Sequence, residues 1–151
     1  MRRVSLIGVV LGGVADIVAT AIMSFPIMVV AAMKGDLISL PKDEQTRAIM
    51  QIMQGTPSLY AAGFVLGAIC SVFGGYLAAR ISRRAAILNG ALSAWLCVGL
   101  GVYAMATGQD SSAPSRHLLF FALSPALGAL GGYLRLRQQG RDDRQRLAPV
   151  S

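Results

Sequence analysis

The stretch VSLIGVVLGGVADIVATAIMSFPIMVVAAM, Val4 to Met33, carries one ionisable side chain, Asp16. A hydrocarbon core of about 30 Å is crossed by about 20 apolar residues in a helix. This segment therefore reads as a membrane span with turns to spare, and Pro26 within it predicts a kink or a tilt. Three further apolar runs follow: Leu59 to Ala79, Ala85 to Thr107, and Leu118 to Leu134, the last containing Pro125. Across 151 residues, 54% are hydrophobic and 14% charged, with mean hydropathy +0.58. A soluble domain usually carries about 25% charged residues, so this chain lacks the polar surface to cover a water-facing globule. Its sorting into apolar runs separated by charge excludes a disordered chain, a disulfide scaffold and a nucleic-acid-binding domain. The expected fold is all-α, an integral membrane four-helix bundle. It forms one domain over residues 1–137, with spans at about 4–33, 59–79, 85–107 and 118–134 and a basic tail over 138–151.

Cytoplasmic loops retain Lys and Arg, so their placement orients the bundle. Arg2 and Arg3, then Arg80, Arg83 and Arg84, then Arg135, Arg137, Arg141, Arg144 and Arg146 all fall on one side. The other side has Lys34, Lys42, Arg47 and Arg116, balanced by Asp36, Asp43, Glu44 and Asp110. Both termini are expected in the cytoplasm, in a multi-pass protein of the bacterial inner membrane. The asymmetry accounts for most of the net charge of +7 without nucleic acid. Besides the lipid bilayer itself, anionic lipid is an expected partner of the basic tail. A cleaved leader is the rival reading of the N-terminus, with Ala19, Thr20 and Ala21 as its cleavage site. Asp16 interrupts that leader and apolar sequence continues past the cut, which favours a span.

The segment Lys34 to Ser58 is long enough for structure of its own. Pro41 with Asp43 and Glu44 starts a helix over about 41–54, and Gly55 with Pro57 stops it. Ala48, Ile49, Ile52 and Met53 share one face, while Gln45, Arg47, Gln51 and Gln54 take the others. This short amphipathic helix should lie on the outer surface, as a cap on the bundle or as a lid or docking element. Arg80 to Arg84 forms a hairpin turn, and Gly108 to Arg116 has turn chemistry.

Phe73-Gly74-Gly75-Tyr76-Leu77-Ala78-Ala79-Arg80 ends the second span, and Leu130-Gly131-Gly132-Tyr133-Leu134-Arg135-Leu136-Arg137 ends the fourth. The shared Gly-Gly-Tyr-Leu and closing Arg imply two similar helical hairpins in parallel repeat about the membrane normal. In lipid, helices associate where small side chains let backbones approach. Gly63, Gly67, Ser71, Gly75 and Ala79 recur every four residues, as do Ser124, Gly128 and Gly132, and Gly8 and Gly12. These are helix-packing faces, used within the chain or in a homodimer. The pattern Gly74 to Ile81, a basic turn and then Asn89-Gly90 resembles many small four-span bacterial membrane proteins of no assigned activity.

Asp16 must face protein or water, because an unpaired carboxylate in hydrocarbon costs about 2.5 kcal/mol or more. With Gly8, Gly12, Thr20 and Ser24 it forms a small, polar stripe. Depth counting places it near Gly67, Cys97 and Ala122, with Cys70, Ser71, Ser93 and Ser124 as the nearest hydrogen-bonding groups. Asp16, Thr20, Ser71, Ser93 and Ser124 are therefore the candidate polar pocket, holding a protonated acid or a hydrated cavity. Two readings are open: a proton or cation site, or an acid satisfied by a hydroxyl as packing glue. Leu11 to Phe25 is similar to the first helix of small multidrug resistance transporters, four-span proteins in which an acid stands at this place. That likeness implies proton exchange for cationic solutes in a dimer. The chain departs from the family by having Asp in place of Glu, a longer first loop and tail, and no aromatic-rich second and third helices.

His117 reads as an interfacial residue, Cys70 and Cys97 as small apolar residues without a disulfide, Trp95 as a bundle-packing side chain, and the methionines as pliable packing. No catalytic set, metal site or cofactor motif is present in the sequence. The function expected first is a non-enzymatic membrane interaction or accessory subunit bound to another membrane protein. The alternative is a small proton-coupled transporter or channel protomer using Asp16.

Overall fold

Five helices make up the computed structural model, which describes residues 4–34, 37, 40–82, 85–107 and 114–147. They are α1 (Leu6–Lys34), α2 (Lys42–Gly55), α3 (Pro57–Ser82), α4 (Ala86–Ala106) and α5 (Pro114–Leu147). Four contain segments long and apolar enough to cross a membrane: Leu6–Met33, Pro57–Ser82, Ala86–Tyr103 and Leu119–Asp142. Their outward faces are apolar, with Leu6, Ile22, Phe25, Ile69, Leu100 and Leu119 all exposed. The first three apolar runs match α1, α3 and α4 to within a few residues. The fourth helix departs from its run, because α5 continues through the basic tail as far as Leu147. Arg2, Arg3, Arg83, Arg84, Asp36, Asp110 and residues 148–151 lie outside the described residues, as does the side chain of His117.

α1 continues past Pro26, and α5 past Pro125. Ser5 caps α1, its Oγ accepting the Gly8 N–H at 3.2 Å. The Ser5 N–H in turn donates to Oδ1 of Asn89 at 3.0 Å, tying the start of α1 to the start of α4. Asn89 is fully buried, and its Nδ2 donates to the Ala85 carbonyl at 3.1 Å. Ala85 sits in the left-handed region, with φ 47°.

α3 packs against α1, α4 and α5, and α4 also packs against α1 and α5. The hairpins α1/α3 and α4/α5 are both formed. They are not placed equivalently, however: α3 lies on α4, whereas among the described residues α1 and α5 stand across the bundle without a packed face. A strict twofold relation between the hairpins would require both pairs to pack, so the repeat in sequence is not a repeat in packing.

Three Gly-Gly pairs account for the arrangement. Neighbouring helix residues point about 100° apart, so each pair offers two bare faces to two partners. A Cβ added to Gly12 would lie 2.7 Å from the Gly74 carbonyl oxygen of α3, and one added to Gly13 would lie 2.9 Å from the Ser93 carbonyl oxygen of α4. Gly74 likewise meets Asp16 of α1, and Gly75 meets Gly128 of α5. Gly131 meets Val72 and Tyr76 of α3, and Gly132 meets Ala86 of α4. All of these contacts lie in the half of the bundle that holds the start of α1 and the Gly-Gly-Tyr-Leu segments.

Gly8 and Gly12, Gly75, Gly128 and Gly132 therefore sit where helices touch, as their four-residue spacing predicts. Gly63 and Gly67 do not. Gly67 has no atom within 4 Å of its would-be Cβ, and Gly63 has only the Met53 methyl at 4.0 Å. The helices diverge toward the α2 end, so one stripe on α3 is packed at one end and open at the other.

α2 follows its expected bounds and lies against α1 and α3. Ala48, Ile49, Ile52 and Met53 are half-buried, and Arg47 and Gln51 exposed. Gln45 and Gln54 depart from their expected polar face, both being half-buried, with Gln45 Nε2 donating to the Leu40 carbonyl at 2.9 Å.

Candidate functional site

Where the helices diverge, they border a half-open cavity of about 540 Å³. Its walls come from all four long helices: Ile17, Thr20 and Ala21 of α1; Tyr60, Phe64, Gly67 and Ser71 of α3; Cys97, Val98 and Gly101 of α4; and Phe120, Phe121, Ser124 and Leu127 of α5. Asp16 lines this cavity beside the glycine-packed half and is 2% exposed. Its neighbours toward the packed half are Gly12 and Gly74; a Cβ on Gly74 would come 2.6 Å from that of Asp16. The absence of side chains at Gly12 and Gly74 is what admits the acid to the helix interface.

The carboxyl accepts two hydrogen bonds. Cys97 Sγ donates to Oδ2 at 3.1 Å, and Thr20 Oγ1 donates to Oδ1 over a long 3.5 Å. Both donors are weak: a thiol is a poor donor and the hydroxyl bond is stretched. The rest of the lining is mostly apolar, with two aromatic rings, Phe64 and Phe120, packed at 5.4 Å between centroids. Titratable lining side chains besides Asp16 are Tyr60 and Cys97. Among the described residues no cluster of three His, Cys, Asp or Glu could hold a metal ion.

Of the five polar candidates, Asp16, Thr20, Ser71 and Ser124 share the cavity. Ser93 is not among its lining. It is 1% exposed, and its hydroxyl donates back to the Gly90 carbonyl at 2.8 Å, within its own helix. Cys70 is buried but makes no bond to the acid; Cys97 takes that place, and both thiols are free. Sequence reasoning set Cys97 at the right depth and passed over it as a donor, since the rotation of α4 about its axis is not written in its composition. Trp95, expected to pack inside, is 57% exposed. The inward arc of α4 is already taken by Asn89, Gly90, Ser93, Ala94 and Val98, all buried, which turns Trp95 outward.

At the packed end, Tyr76 and Arg135 both donate to Oε1 of Gln138, Tyr76 through its hydroxyl and Arg135 through a guanidinium nitrogen at 3.4 Å. This joins the end of α3 to α5 beyond its apolar segment. Comparison of the chain with family models, curated proteins and solved structures finds no match.

Proposed function

We propose that the protein is a small proton-coupled transporter protomer whose substrate site is the cavity ending at Asp16. It would sit in the bacterial inner membrane with both termini cytoplasmic. The observation that carries this reading is one buried carboxyl at the floor of a largely apolar chamber walled by four helices. An ionised carboxylate there lacks strong donors and faces a mostly apolar lining, so it calls for a neutralising partner. A proton or an organic cation can each supply that, and one carboxyl cannot hold both. The rings of Tyr60, Phe64, Phe120 and Phe121 add faces that attract a cation and an apolar body. The substrate class is therefore a compact lipophilic cation, bound in competition with a proton.

The expected accessory-subunit role drew on the dense small-residue faces, a surface helix and the lack of a catalytic set. Gly12, Gly13, Gly74, Gly75, Gly128, Gly131 and Gly132 meet other helices of the same chain, so those faces give no argument for an outside partner.

The test uses the purified full chain in detergent with benzyltrimethylammonium as probe and its uncharged isostere neopentylbenzene as control. The cation should bind and the isostere should bind at least about tenfold more weakly. Affinity for the cation should rise with pH as the proton is removed from competition. Asp16→Asn should lose both the binding and its pH dependence. Unchanged cation affinity in Asp16→Asn contradicts the proposal, and a stoichiometric second protein co-purifying with both forms would then favour the accessory role.

A further inference from the structure

We propose that Arg137, Arg141 and Arg144 form a binding cleft for the phosphodiester headgroup of an anionic phospholipid. The site is separate from the cavity and stands whether or not that chamber binds a solute. Within α5 the unbroken run of uncharged residues ends at Leu134, before Arg135, and the helix continues to Leu147. At about 100° per residue, Arg137, Arg141 and Arg144 fall within about 60° of one another on the helix surface. Their side chains line one cleft, together with Leu136 and Gly140. All three arginines are exposed, and no atom lies within 4 Å of the would-be Cβ of Gly140, which leaves room between them.

The direction of this face is set by the bundle. Gln138, held by the Tyr76 hydroxyl, marks the side of α5 turned toward α3. The arginine face is rotated about 60 to 120° from it, clear of the other helices. Along the axis, Arg137 lies about 4.5 Å beyond Leu134, Arg141 about 10 Å and Arg144 about 15 Å. The headgroup layer is only about 5 to 8 Å thick on each side. Helical side chains lean toward the helix N-terminus, which for α5 is back toward its apolar segment. The long arginine side chains thus lean back along the helix toward the headgroup layer. Guanidinium groups are opposite in charge to a phosphodiester and present donors in a fork that fits its oxygens.

The experiment is native mass spectrometry of the purified full chain equilibrated with equal amounts of phosphatidylglycerol and phosphatidylcholine. The wild type should retain phosphatidylglycerol preferentially, and the preference should weaken as ionic strength rises from about 0.01 to about 0.15 M. R137Q/R141Q/R144Q should lose about fivefold per arginine, on the order of 100-fold in all. A variant with the same charge loss elsewhere, K42Q/R47Q/R80Q, should keep the preference. The proposal is overturned by any of four results: no preference in the wild type, no effect of salt, retention in the arginine variant, or an equal loss in the charge-matched variant. Displacement of the lipid by millimolar glycerol phosphate would also overturn it, marking a site for free phosphate.

Discussion

Asp16 accepts one bond on each oxygen, from a thiol and from a stretched hydroxyl. Neither is a donor on which an ionised carboxylate could rely in an apolar surrounding, and the proposed function has the neutralising partner come from what enters the cavity. Asp16→Asn keeps the shape and should keep the fold, with a melting midpoint in detergent within a few degrees of wild type, while binding of the aromatic cation is lost. A large drop in that midpoint would instead make the acid a packing element. Cys97 offers a second test, because it is partly exposed on the cavity wall whereas Cys70 is 3% exposed and not part of the lining. N-Ethylmaleimide should modify Cys97 in preference to Cys70, and saturating benzyltrimethylammonium should slow the reaction. Modification of Cys70 first would contradict the placement of the cavity. Asp16 was legible in the sequence as the lone acid in an apolar run. Cys97 was not, because a cysteine in such a run has the signature of any small apolar residue.

Among the elements, the glycine pairs decide which helices touch. A Cβ at Gly75 would lie 2.7 Å from the Gly128 Cα, and one at Gly131 would lie 2.6 Å from the Tyr76 backbone nitrogen. Backbone cannot give way as a side-chain tip can, so Gly75→Ala or Gly131→Ala should cost about 1 to 3 kcal/mol in detergent unfolding. Gly99→Ala, with nothing near it, should be neutral or gain up to about 1 kcal/mol of helix propensity. Equal effects at the two kinds of site would remove the account of packing. Ala85→Gly should also stabilise, by about 1 kcal/mol, by relieving the left-handed alanine at the start of α4. The four-residue spacing made one face of each helix readable, and α2 was readable from its caps and its apolar face. The other member of each Gly-Gly pair, Gly13, Gly74 or Gly131, was not weighed as a packing residue, although its 100° offset is the signal for a second partner.

The whole molecule divides into a half closed by backbone contact and a half opened around a chamber, with Asp16 at the boundary. The four apolar helices followed directly from the lengths of the hydrophobic runs. The division did not, because the same small residues, such as Gly67 and Gly75, serve as wall at one end and as contact at the other. Nor did the inequivalence of the hairpins, since matching octets fix matching local faces and leave open which helices fill the centre. Under the proposed transport function, a cation entering the chamber would displace a proton held at Asp16. The most direct measurement is therefore proton release into weakly buffered detergent solution as benzyltrimethylammonium is added to the full chain. The account predicts release of up to one proton per cation bound, diminishing as the starting pH is raised, and none from Asp16→Asn. Cation binding without proton release at every starting pH, or equal release from Asp16→Asn, would contradict it.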